Sequence, residues 1–162
     1  MLLGILSDTH DKLARTRHAV ELLREAGAEA LIHCGDLSGP DILRACAVLP
    51  CWYVFGNNDD DMIPDLRQVS AETEAVCLEW AGEVVLAGKR IAVTHGHVTA
   101  DVRRLLNASP DYLLTGHSHV AEDFQAGPTR RINPGALHRA SRFSVALLDL
   151  ATDKLMFLDV PS

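Results

Sequence analysis

Five short apolar runs in this chain each end in a cluster of Asp, His, Asn and Gly, and that repeated placement limits the folds open to it. The clusters are Asp8-Thr9-His10, Gly35-Asp36, Gly56-Asn57-Asn58-Asp59, His95-Gly96-His97 and Gly116-His117-Ser118-His119. Carboxylates and imidazoles at the ends of buried strands are costly to desolvate. Meeting that cost five times implies one shared purpose, and the residue types suit a pair of divalent metal ions.

The runs themselves set the order of elements. Leu2 to Leu6 reads as a buried strand. Asp11 can cap a helix reaching about Ala26, with Leu13, Thr16, Val20 and Leu23 at helical spacing and Gly27 as its stop. Ala28 to His33 is a second strand, a short helix follows Pro40, and Cys51 to Phe55 is a third strand. Strand–helix–strand alternation argues for parallel pairing with right-handed crossovers. The stretch from Asp59 to Glu74 is polar, and Pro64 argues against a long helix there. Strands are expected at Ala75 to Trp80, Glu83 to Ala87 and Arg90 to Thr94, with turns at Ala81-Gly82 and Gly88-Lys89. A helix from Thr99 to Leu106, a strand from Asp111 to Thr115 and three or four further short strands, at Ala121 to Ala126, Thr129 to Ile132, Phe143 to Leu148 and Leu155 to Leu158, complete the chain. An α/β half followed by a strand-rich half packs most simply as two sheets face to face with helices outside, and open α/β sheets place their sites at the C-terminal ends of strands.

At 162 residues the chain is expected to form one domain, residues 1–162. No apolar stretch is long enough to span a bilayer, and the N-terminus lacks the marks of a signal peptide, so a cytoplasmic location is expected. Cys34, Cys46, Cys51 and Cys77 have no CxxC spacing and read as reduced, mostly buried thiols. The formal net charge of −7 argues against long nucleic acid or an anionic membrane as partner. It leaves a small phosphate substrate open, because bound metal charge can locally outweigh the protein's own field.

In an extended segment residues i and i+2 share a face, so Asp8 with His10, His95 with His97, and His117 with His119 are expected to point together. Asp36 stands alone behind its strand and is the best bridging carboxylate; Asn57 offers a neutral carbonyl oxygen. Mixed imidazole, carboxylate and amide donors suit manganese, iron, nickel or zinc more than magnesium. Two divalent ions with Asp8 and Asp36 leave a net positive pocket able to bind a phosphodiester for in-line attack by a hydroxide held on the ions. His18 reads as a surface residue on the first helix, His33 as a buried histidine beside the site, and Asp59 to Asp61 as a solvated acidic loop.

As an ordered set, the clusters resemble the signature of the calcineurin-like metallophosphoesterases: Asp-x-His, Gly-Asp, Gly-Asn-x-Asp, His and Gly-His-x-His. The small size and Asn133-Pro134-Gly135 are similar to its compact YfcE-type phosphodiesterase branch. The resemblance implies a four-layer α/β/β/α sandwich of two mixed β-sheets flanked by helices. It implies Asp8, His10 and His119 on one metal, Asn57, His95 and His117 on the other, and Asp36 between them. Many larger relatives carry His after the Asn ligand, where it helps protonate the leaving group; here that residue is Asn58, an amide that cannot act as an acid. His97 is the candidate substitute, as an acid or as a phosphate contact. Ala136 stands where Asn-Pro-Gly is commonly followed by Ser. The expected activity is hydrolysis of small phosphodiesters with good leaving groups. The alternatives are a retromer-type scaffold that binds partner proteins, or a nucleotide phosphatase or nuclease on the same centre. A strand-rich small domain with surface aromatics leans toward a homo-oligomer.

Overall fold

The computed structural model describes all 162 residues. Two sheets form its middle. The first has the order β11-β10-β1-β2-β3-β4 and the second β5-β6-β7-β9-β8. In chain order the strands are β1 (Leu2–Leu6), β2 (Ala30–His33), β3 (Cys51–Tyr53), β4 (Val76–Cys77), β5 (Ala81–Leu86) and β6 (Lys89–Thr94). They continue with β7 (Tyr112–Leu114), β8 (Ala121–Ala126), β9 (Thr129–Pro134), β10 (Ser144–Asp149) and β11 (Lys154–Asp159). Both sheets are mixed: β1, β2, β3 and β4 run parallel, as do β6, β7 and β9, with antiparallel partners at the margins.

Strand alternation decides which layer each side chain enters. Leu3 and Ile5 of β1 pack with Ile91, Val93, Leu114 and Ile132 between the sheets. Leu6 of the same strand and Leu31 of β2 face the other way, onto helices α1 (Leu13–Glu25), α2 (Pro40–Cys46) and α3 (Ile63–Glu72). On the far side of the second sheet, Ala92 and Leu113 meet Leu105 of α4 (Thr99–Asn107). The layers therefore run α/β/β/α, as the resemblance implied.

Helix α1 buries Thr16, Ala19, Val20 and Leu23, a single stripe at helical spacing. Its start differs from expectation. Lys12, not Asp11, precedes the first turn. The Asp11 backbone lies in the left-handed region and its N–H donates to the Leu37 carbonyl, so the residue ties two loops together instead of capping. Helix α3 is a second difference. Pro64 sits in its first turn, where the missing N–H costs nothing, and Leu66 and Val69 reach the core. Proline thus begins a helix in the stretch where it was expected to prevent a long one. A third concerns the first hairpin: Ala81 and Gly82 lie within β5, and the turn falls at Ala87-Gly88, both with positive φ. All four cysteines are free thiols, as expected, and three of them are buried.

Candidate metal centre

The parallel strands deliver their C-terminal ends to one place. From the first sheet come Asp8 and His10 after β1, Asp36 after β2, and Asn57 and Asn58 after β3. The second sheet supplies His95 and His97 after β6 and His117 and His119 after β7. Two groups of ligand atoms, Asp8–His10–His119 and Asp8–Asp36–His95, each lie within 4.8 Å of one another.

The distances show two carboxylates inside a ring of imidazoles. Asp36 Oδ2 is 3.3 Å from His10 Nε2 and 3.4 Å from His95 Nε2. Asp8 Oδ1 is 3.0 Å from His119 Nε2, 3.8 Å from His10 Nε2 and 3.9 Å from His95 Nε2. His117 meets His95 edge to face, with ring centroids 5.1 Å apart. His97 is 5.4 Å from the His95 ring and 6.1 Å from that of His117. Asn57 is exposed, and no hydrogen bond ties its side chain to the group.

These side chains converge for a reason other than strand alternation. Asp8, His10, Asp36, His117 and His119 all have positive φ. The Asp8/His10 and His117/His119 pairs are thus held by left-handed turns, not by extended backbone, and between His95 and His97 the positive φ falls on Gly96. That conformation costs about 1–2 kcal/mol for each non-glycine residue, and such strain concentrates at functional sites. Neighbouring glycines make room for the ligands. A Cβ on Gly56 would fall on Asp36 Oδ1, and one on Gly116 would fall on Ser7 Oγ and crowd Asp8 Oδ2.

A second set of groups orients the first. Asp8 Oδ2 accepts from the Ser7 hydroxyl at 2.6 Å and the His117 N–H at 3.0 Å, which leaves Oδ1 facing the cluster. His95 Nδ1 lies 2.8 Å from the Cys34 carbonyl, and His119 Nδ1 lies 3.2 Å from that of Arg139. A carbonyl can only accept, so each imidazole carries its proton on Nδ1 and turns the Nε2 lone pair inward. Asp59, expected as part of a solvated loop, is fully buried. Its carboxylate accepts from the backbone N–H groups of Asp36 (2.8 Å), Gly56 (2.7 Å) and Ser38 (2.8 Å). Burial raises its pKa despite those donors. Only Asp60 and Asp61 are exposed. Asn133 Nδ2 donates to the Gly116 carbonyl and Ser118 Oγ, so the Asn-Pro-Gly turn braces the His117 loop. Asn58 also serves the bridging candidate: its backbone N–H and side-chain amide donate to the two oxygens of Asp36 at 2.9 and 2.7 Å. Ser7, Asp59, Asn133 and His138 were not singled out for a role at the site from sequence. The Asp of Gly-Asn-x-Asp and the Asn of Asn-Pro-Gly were the signals available.

Electrostatics favours a cation here. Burial opposes ionisation of Asp8, yet His10, His95 and His119 with Ser7 outweigh it and hold the carboxyl below its usual range. Asp36 behaves likewise, with burial overcome by His95 and Asn58, and lies well below the usual carboxylate range. Desolvation works against protonated His95, but Asp36 and Asp8 raise its pKa overall. The attraction that holds a proton on His95 is available, doubled, to a divalent ion. The decisive fit is in the lone pairs: Asp8 Oδ1, His10 Nε2 and His95 Nε2 are buried and have no hydrogen-bond partner. Buried polar atoms are rarely left so, and these three point into one space from two sheets. The site fits divalent metal.

Two mixed sheets between helices, with a histidine–carboxylate cage at their shared edge, define a metallophosphoesterase. The calcineurin-like phosphoesterase superfamily domain matches residues 1–153. The chain belongs to that superfamily. Phosphodiesterase MJ0936 of Methanocaldococcus jannaschii is 27% identical over 138 residues, 83% of either chain. A probable metallophosphoesterase of Methanothermobacter thermautotrophicus is 31% identical over 167 residues, covering 96% of this chain and 89% of the relative. The fold matches the solved structure of an archaeal phosphodiesterase with a TM-score of 0.86 and 24% identity, over 99% of this chain and 100% of the other.

Proposed function

We propose that the chain is a phosphodiesterase that holds two divalent cations, manganese in preference to iron, nickel or zinc, and hydrolyses small phosphodiesters. One observation carries this reading: unpartnered, buried ligand atoms from both sheets face a single space. Those atoms count against a scaffold that acts only by binding other proteins. The phosphodiesterase name of the Methanocaldococcus relative supports the diester class.

Asp8, His10 and His119 would hold one ion, and Asn57, His95 and His117 the other. Asp36 would lie between, since its Oδ2 reaches toward His10 on one side and His95 on the other. Bound there, the cations supply Lewis acidity toward phosphoryl oxygens and a nucleophile at neutral pH. The protein's own groups set the geometry. Ser7 and the His117 N–H fix Asp8, Asp59 fixes the backbone under Asp36, and the Cys34 and Arg139 carbonyls fix two imidazole tautomers. His97 keeps Nδ1 unpaired and buried beside His95 and His117, which suits a contact to substrate from that side. Asn58 is already committed to Asp36, so poor leaving groups are expected to react slowly. The test is steady-state hydrolysis of a bis-nitrophenyl diester across added metals, with elemental analysis. Activity that survived both chelation and Asp36→Ala would exclude the reading.

A further inference from the structure

His138, like His97, is a histidine beside the metal centre to which neither the ligand set nor the orienting bonds give a task. Its ring centroid is 4.8 Å from that of His10, half-buried, with no hydrogen bond to either nitrogen. Its backbone is held on both sides. The Leu137 N–H donates to the Asp8 carbonyl at 3.2 Å, and Arg15 Nη1 donates to the Leu137 carbonyl at 2.6 Å. The Arg15 guanidinium lies 3.7 Å over the Phe143 ring, which fixes it in turn. On the other side, the Arg139 carbonyl meets His119 Nδ1, and Arg139 has a positive φ. Residues 137–139 therefore form a strap from Asp8 to His119, with His138 at its middle beside the His10 ring. His97 stands in the matching place beside His95 and His117.

We propose that His138 is a substrate-contacting residue, donating a ring N–H to an oxygen of the bound phosphoryl group on the His10 side. The assignment rests on the phosphodiesterase reading above and deepens it. Asn58, which follows the Asn ligand candidate, spends its amide on Asp36. His138 has a free ring nitrogen and a rigid mount, so it offers the contact that Asn58 does not. A pre-positioned donor costs little ordering entropy on binding, and hydrogen bonds to charged acceptors are among the stronger ones.

The test compares His138→Phe, which keeps a packed ring without N–H, with His138→Gln, which keeps a donor. Binding of inorganic phosphate to the manganese-loaded protein is followed by calorimetry, beside metal content and diester turnover. The expected result is about tenfold weaker phosphate binding in His138→Phe, recovery to within about threefold in His138→Gln, and unaltered metal content in both. Phosphate binding by His138→Phe equal to that of the unaltered chain overturns the proposal. Loss of metal from His138→Phe also overturns it, because a ring nitrogen of His138 would then serve the metal site and not the substrate. Failure of the parent reading shows separately, as absence of metal-dependent diester turnover in the unaltered chain.

Discussion

At the scale of single residues, Asp36 and His33 make opposite demands on the proton. Asp36 Oδ2 lies 3.3 Å from His10 Nε2 and 3.4 Å from His95 Nε2, so with Asp36 as the proposed bridge, Asp36→Ala is expected to lower occupancy of both ions, while His10→Ala lowers chiefly one. Metal content per chain decides, and equal loss from both variants would contradict the bridge. His33 is buried and neutral. Desolvation lowers its pKa from 6.5 to about 3. Its Nδ1 accepts the Gly35 N–H, and Nε2 lies 3.1 Å from Thr9 Oγ1. A depressed histidine pKa means the unfolded chain binds the proton first. Stability present above pH 6.5 is therefore lost as pH falls toward 3, by up to about 1.4 kcal/mol per pH unit. Urea unfolding at pH 7, 6, 5 and 4 is expected to show a shallower decline for His33→Gln than for the unaltered chain. Parallel curves would show that another group governs the slope. Asp59 gives a third prediction: Asp59→Ala strands two buried backbone donors and a half-buried one, and is expected to cost about 3 kcal/mol in the same measurement.

Among the elements, those with one clear period were legible from sequence, while turns and short segments were not. β1 and β8 match their expected residues, and α1 and α4 differ from expectation by one or two residues at an end. Helix α3 was obscured because its polar face dominates the sequence and Pro64 reads as a breaker until its first-turn position is known. The polar clusters picked out from sequence do converge, but the left-handed backbone of their loops was invisible in side-chain pattern. Those loops make a prediction of their own. Gly116→Ala drives a methyl group into Ser7 and Asp8, and is expected to cost about 2 kcal/mol and to reduce metal content. A variant with full metal content and unchanged unfolding midpoint would show that the β7 loop yields more easily than its packing implies.

For the whole molecule, the centre joins two sheets that otherwise meet through apolar contacts and a few polar ones, among them Ser144 Oγ to the Pro134 carbonyl and Arg130 to Asp153. The first sheet supplies Asp8, His10, Asp36 and Asn57; the second supplies His95, His117 and His119. Cations held there are expected to brace the sandwich as well as act on substrate. Metal present at 100 times its dissociation constant stabilises the folded state by about 2.7 kcal/mol. Chelation should therefore lower the thermal midpoint by several degrees, and Asp36→Ala should be insensitive to chelator. An unaltered chain whose midpoint ignores chelation would mean that the sheets are held without the ions.

The amino-acid sequence by itself determined the layered α/β class, the order of the strands and the identity of the polar clusters, because side-chain period and local composition are short-range properties. It also brought forward the family through the order of its motifs. Tertiary structure alone decided that Asp59 is an interior acceptor, that Asn58 serves Asp36, and that His138 stands beside His10. Each of these depends on loops from separate strands arriving at one point, and nothing in the spacing of a single loop encodes where another will end.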